Sequence, residues 1–311
     1  MYRFYRLGQP RVSDGTSLNK EHCRYKMQTI LDRFLQHLSA NGASPTATLN
    51  AYRTDLSQCV AFLADHGIND VQALQPDDLQ AFCAWLQERG YAKATIARRI
   101  VALRALCAFL VQAGILATDP SAALPLPVVA RTVRPTLGPN QIAALRAVMC
   151  RDSSAEAWRD RAILEVLLAT ALRASTLVAL DVGDVALEQA MITICGRRGT
   201  TRAVALLPTA VMALLAYIQL GRPKLARTND HESALFLNQQ GARLTRQGCW
   251  VVLKGYARQL GLDDLSPELI RQSVAAQRFV DGATVDEVQA LLGHAVRKTT
   301  AVYQPIAPTR E

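Results

Sequence analysis

Near the end of the 311-residue chain, the stretch LLGHAVRKTTAVYQP (291–305) sets Gly293 and His294 ten and nine positions ahead of Tyr303. A phenol can act as a covalent nucleophile when neighbouring groups bind the anion it attacks. The other reading is an aromatic ring that packs a core. The residues upstream are well signposted: Thr284 with Glu287 reads as a capping box, and Val285, Val288, Leu291 and Leu292 supply a buried stripe. Gly293 fits the left-handed residue that ends a helix, so His294 emerges just past that end. Taken alone, a histidine in such a place is more often a surface residue than a catalytic one.

The elements that must position these residues can be read from periodicity. From Lys26 to about Leu116 the pattern is helical throughout, with Ile30, Leu31, Phe34 and Leu38 in a first segment. Ser44-Pro45 offers an N-cap for a second, which carries Leu49, Tyr52, Leu56, Val60 and Leu63. A third opens at Pro76-Asp77-Asp78 and carries Leu79, Phe82, Cys83 and Leu86. A fourth runs from Lys93 through Ile96, Ile100, Leu103, Cys107 and Leu110. Four such helices make one compact bundle. Residues 118–140 contain five prolines and no sustained period, which predicts an interdomain linker over 118–136. A mixed domain follows from 137 to 311: a helix built on Ile163, Leu164, Leu167 and Leu168, then MITICG and TRAVALL, two strand-like runs joined by a glycine-containing turn, then helices to the end. Residues 1–25 are read as an N-terminal extension.

Composition narrows the class. Half the residues are hydrophobic, enough for two cores. The formal charge is +9, with 15 Lys and Arg against 10 Asp and Glu in residues 1–136 (+5) and 20 against 16 in the remainder (+4). Two modestly basic halves suit a polyanion gripped from two sides. The seven cysteines include no C-x-x-C pair and are odd in number, which reads as reduced thiols. No apolar run reaches bilayer length and the N-terminus lacks a signal-peptide core, so the expectation is a cytoplasmic protein without a membrane partner.

Four stretches, ATALRASTLVALDVGDV (169–185), ICGRRGTTRAVALLP (194–208), ALFLNQQGARLTRQGCWVVLKGYARQLGL (234–262) and SPELIRQSVAAQRFVDGATVDEVQALLGHAVRKTTAVY (266–303), stand in the order and spacing of one family. The chain resembles the tyrosine recombinases, or phage-type integrases, of the Xer-like kind, from about residue 26 to 305. The resemblance implies a mainly helical fold, with an N-terminal four-helix, SAM-like core-binding domain over 26–117 and an α+β catalytic domain with a small antiparallel sheet. It also implies a two-domain clamp on duplex DNA and strand exchange through a 3′-phosphotyrosyl link, with neither metal nor cofactor. In that scheme Tyr303 is the nucleophile, Arg173 and Arg271 bind the phosphate, and His294 hydrogen-bonds it. Arginine's planar, multiply donating fork suits a phosphorane that gains negative charge.

This sequence also departs from the family pattern. Arg197 occupies the hairpin position of the family's proton-donating lysine, and a guanidinium gives up its proton reluctantly. Glu268 replaces the histidine of H-x-x-R. Beside a phosphate at about 4 Å a carboxylate costs on the order of 1–4 kcal/mol; it could instead pair with Arg271 or accept the Tyr303 proton. Thr176 stands where an acidic residue usually holds the first arginine, and Ala171 replaces a turn glycine. Two functions follow: a working but divergent recombinase, or a DNA-binding accessory protein on the same scaffold.

For DNA contacts the sequence offers Thr48, Arg53, Lys93, Arg98, Arg99 and Arg104 on the bundle, and Arg198 and Arg202 on the hairpin. The resemblance implies tetramers on paired DNA sites, with a partner recombinase as one option. The short tail QPIAPTRE, with two prolines, predicts a monomer in the absence of DNA.

Overall fold

The computed structural model describes residues 17–40, 46–128, 136–195, 201–226, 232–262 and 265–304, with side chains from Met27 onward. Contacts within the chain separate it into two compact units, residues 1–131 and 132–311. The first unit is built from α1 (Ser17–Ala40), α2 (Thr46–Asp65), α3 (Pro76–Glu88) and α4 (Lys93–Gln112). The expected stripes form its core: Leu31, Phe34, Leu56, Leu63, Leu79, Phe82, Leu86, Ile100 and Leu110 are all buried. Each contributes roughly 1.5–3 kcal/mol of hydrophobic burial. The predicted Ser44-Pro45 cap lies outside the described residues. The start of α3 is as expected, with Pro76 in the first turn and the Gln75 amide donating to Asp78 Oδ2 at 2.9 Å.

The beginning of the stretch read as linker is not extended. Ser121 and Leu124 are buried against the bundle, Asp119 accepts from the Ser121 amide at 2.8 Å, and Arg104 Nη2 donates to the Leu124 carbonyl at 2.6 Å. Apolar burial and a satisfied carbonyl hold these residues on the first unit despite their prolines.

The second unit contains α5 (Pro139–Met149), α6 (Ala155–Thr170), α7 (Ala174–Val178), β1 (Val185–Ala186), β2 (Met191–Cys195), β3 (Thr201–Ala205), α8 (Pro208–Ala216), a π-helical turn at Tyr217–Gly221, α9 (Arg222–Ala226), α10 (Arg246–Gln259), α11 (Pro267–Val280), α12 (Val285–Leu292) and α13 (Arg297–Ala301). The α6 helix is the central post. Ala162 through Ala169 are buried without interruption, as befits a helix surrounded by protein on all sides. The strands form an antiparallel sheet in the order β1-β2-β3, pairing Ile192 with Val204 and Ile194 with Arg202. Ile192 and Ile194 are buried, so cross-strand pairing puts Arg202 on the same inward face. The fold is thus mainly helical with one small antiparallel sheet. Among the described residues, no helix is long and apolar enough to cross a membrane.

Candidate active site

The end of α6 sets the first arginine. Ala171 turns left-handed (φ 50°), the buried Leu172 anchors the turn, and Arg173 caps α7 with its own carbonyl, which accepts from Thr176 and Leu177 at 2.9 Å each. The Arg173 side chain projects outward and is exposed; among the described residues its guanidinium has no hydrogen bond or ion pair. That agrees with Thr176 standing where a carboxylate would hold it.

Arg271 is the opposite case. It lies in the second turn of α11, a helix opened by Ser266, whose hydroxyl accepts from the Leu269 amide at 3.1 Å. Only 2% of Arg271 is exposed. Its Nη1 donates to the Ala171 carbonyl, and its Nη2 donates to the Leu292 carbonyl at 2.7 Å and to His294 Nε2 at 3.0 Å. Burial, reinforced by Arg173, brings its pKa down to about 10, which leaves it a cation at neutral pH.

The capping box and the helix-ending glycine are as the sequence predicts. Thr284 and Glu287 exchange hydrogen bonds, and Gly293 adopts φ 62°. Just beyond, Gln289 grips His294 from both sides: its carbonyl accepts from the His294 amide at 3.2 Å and its Nε2 donates to the His294 carbonyl at 3.0 Å. The imidazole Nδ1 lies 2.9 Å from Thr300 Oγ1. Burial first, then Arg271 and Arg173, lower the His294 pKa to about 4, so the ring is neutral. Tyr303 follows α13, its amide donating to the Thr300 carbonyl at 3.0 Å. It is half-buried against the core of this unit. Its ring stacks on the imidazole with centroids 6.3 Å apart and planes 20° apart.

Arg271, His294 and Tyr303 therefore come together, with Arg173 near enough to influence the first two electrostatically. Glu268 is exposed in the first turn of α11. It lines a cleft of about 540 Å³ with Arg173, Ser175, Arg246, Gln247 and Trp250. It forms no hydrogen bond or ion pair with Arg271 among the described residues, so the pairing that the sequence allowed is not made: Arg271 is occupied by carbonyls instead. Arg197 and Arg198 lie outside the described residues.

Arg202, offered by the sequence as a DNA contact, turns toward the end of α12. From the inward face of β3 its Nη1 donates to the carbonyls of Ala290 and, at 3.1 Å, Leu291 at the end of α12. Its guanidinium lies so close to Gly293 that a Cβ there would meet it at 3.1 Å. Strand alternation contained this signal, since Arg202 shares a face with Val204.

On the bundle, Arg53 and Lys93 are exposed and Thr48 is half-buried. Arg53 lies 3.4 Å from Asp32. Arg98 donates to Asp55 Oδ2 at 2.6 Å with half its side chain in solvent. Arg99 is buried, 3.4 Å from Asp55 Oδ1 and stacked 4.1 Å over Tyr91. Arg104 is half-buried on the Leu124 carbonyl. A carboxylate and a carbonyl inside the unit claim these two cations. Sequence reasoning missed Thr300 and Gln289, and also Arg246 and Trp250 in the cleft. The α10 spacing of Arg246 and Trp250, four apart on one helix face, was the available signal.

Residues 135–310 match the phage integrase family, and residues 31–114 match the phage integrase N-terminal SAM-like domain. A tyrosine recombinase XerC from Herpetosiphon aurantiacus is 40% identical over 284 residues, covering 91% of this chain and 92% of that relative. A tyrosine recombinase XerD from Listeria innocua is 32% identical over 287 residues, covering 91% and 96%. Among solved structures, the XerH site-specific recombinase bound to a palindromic difH substrate in a post-cleavage complex has a TM-score of 0.70 at 17% identity, over 96% of this chain and 88% of that one. The Tn1549 transposon integrase in complex with a circular intermediate DNA reaches 0.71 at 16% identity, over 88% and 94%. These two share the fold. With both family segments matched in chain order and relatives this similar along nearly their full length, the chain belongs to the phage integrase family, the tyrosine recombinases.

Proposed function

We propose that the chain is a site-specific recombinase of double-stranded DNA, with Tyr303 as its nucleophile. The phenolic oxygen attacks a backbone phosphorus, the bond to the 5′ oxygen breaks, and a 3′-phosphotyrosyl link forms while the 5′ end leaves as a hydroxyl. The phenol gives up one proton and the departing 5′ oxygen takes up one. A 5′ hydroxyl from a partner strand then reverses the step and restores the phenol. The covalent link conserves the phosphodiester's energy, so no nucleotide is consumed.

The observation that carries this reading is the convergence of the Arg271 guanidinium, the His294 imidazole and the Tyr303 ring from segments far apart in the chain. Arg173, unpartnered among the described residues and poised at the mouth of the cleft, supplies a second fork for the non-bridging oxygens. Clustered guanidiniums repel one another, and an anionic phosphate relieves that repulsion most where the transition state adds charge. Arg197 would reach the same phosphate from the hairpin, and Glu268 would take the phenol's proton. On the bundle, Thr48, Arg53, Lys93 and Arg98 are the groups offered to DNA, with Arg198 on the hairpin. Residues 26–117 would serve as the core-binding domain and 137–311 as the catalytic domain, acting in the cytoplasm. The protein is a monomer without DNA and assembles as four protomers on paired sites, with a partner recombinase as an option.

A nicked suicide substrate tests this, because loss of the short 5′ fragment traps the covalent adduct. Wild type is expected to become linked to DNA; Tyr303→Phe is expected to bind the same DNA and never link. A wild type that retards DNA yet forms no adduct would place the chain among accessory DNA-binding proteins.

A further inference from the structure

We propose that Thr300 is a positioning residue that holds the Nδ1-protonated tautomer of His294, which Arg271 selects, and ties the imidazole to the helix presenting the nucleophile. The argument rests on the assignment of Tyr303 and His294 above and begins with donor counting. A guanidinium has only donors, so the His294 nitrogen 3.0 Å from Arg271 Nη2 must offer a lone pair. The neutral ring then carries its single proton on Nδ1. That nitrogen is 2.9 Å from Thr300 Oγ1, which must accept.

Thr300 is fully buried, so no solvent stands ready to replace its oxygen. Removing the hydroxyl would strand a buried N–H, leaving the ring free to turn or to exchange its proton between nitrogens. The same residue holds the nucleophile: the Thr300 carbonyl accepts from the Tyr303 amide at 3.0 Å, and the Tyr303 ring stacks on the imidazole. One side chain and one carbonyl of a single residue thus fix both partners of the stack. A buried donor left without its acceptor corresponds to a loss of about tenfold or more.

The test uses the full chain without DNA and, separately, the suicide substrate. Nitrogen-15 histidine spectra report which ring nitrogen is protonated, and the His294 signal is identified by its loss in His294→Gln. Wild type and Thr300→Ser are expected to show the proton on Nδ1. Thr300→Val, which keeps the shape and loses the oxygen, is expected to show mixed tautomers. In single-turnover cleavage, Thr300→Val is expected to slow adduct formation by about tenfold or more while DNA affinity stays within about twofold, and Thr300→Ser is expected to restore the rate. Wild-type protonation on Nε2 would overturn the proposal, as would Thr300→Val cleaving at the wild-type rate. If Thr300→Val fails to fold, the wild-type spectrum and the Thr300→Ser rate still decide. A wild type that never links to DNA counts against Tyr303 as nucleophile, and the spectra then judge Thr300 on their own.

Discussion

At the scale of single residues, Arg173, Arg271 and His294 have no carboxylate hydrogen-bonded to them among the described residues. His294 feels this most, its pKa lowered from 6.5 to about 4 by burial and by Arg271 and Arg173. A histidine whose folded pKa is depressed binds fewer protons than the unfolded chain between those two values, so its contribution to stability is complete above about pH 6.5 and is lost as pH falls toward 4. Melting temperatures of wild type and His294→Gln should therefore converge on acidification if wild type is the more stable at pH 7, with wild type losing more over that window. Parallel profiles would show that the ring is not held neutral. The replaced groups supply a second expectation. Arg197→Lys combined with Glu268→His provides a group that can release a proton and removes a carboxylate from the cleft, and adduct formation should rise by at least about tenfold. No gain would mean that proton delivery is not the slow step. Chemical type was legible here in advance: two arginines, a histidine and a tyrosine in the right order. The Thr300 bond was not, because a hydroxyl six residues from a histidine meets it only after a helix end and a turn.

At the scale of elements, most boundaries could be read because they follow local rules. The α12 helix begins at a reciprocal cap and ends at a left-handed glycine, both written in Thr284, Glu287 and Gly293. Gly293 meets two demands at once, a φ of 62° and a guanidinium where its Cβ would be. Gly293→Ala is accordingly expected to cost about 1–2 kcal/mol in denaturant unfolding and to impair adduct formation, since His294 is the next residue. An unchanged midpoint would show that Arg202 gives way freely. What periodicity could not reveal is which basic side chains turn inward. Arg99 looks like a surface cation, but its partner Asp55 lies 44 residues earlier, and only the packing of α2 on α4 brings the two together. Arg202 is a similar case, serving carbonyls 88 and 89 residues away.

At the scale of the whole molecule, a net charge of +9 shared as +5 and +4 between the two parts predicts binding governed by counterion release. An interface of about six phosphate contacts would lose about a thousandfold in affinity between about 50 and 200 mM salt, as read by fluorescence anisotropy on a labelled duplex. A flat salt response would mean that phosphates are not the main contact. Arg271 gives the molecule one more property. Its three bonds join residue 171, just past α6, to residue 292 at the end of α12 and residue 294 beyond it, so the side chain proposed to bind the phosphate is also the clasp that ties these segments together. A chain severed between 280 and 292 parts Arg271 from the Leu292 carbonyl, His294 and Tyr303 together. On the function proposed above, such truncated copies should form no covalent link to DNA.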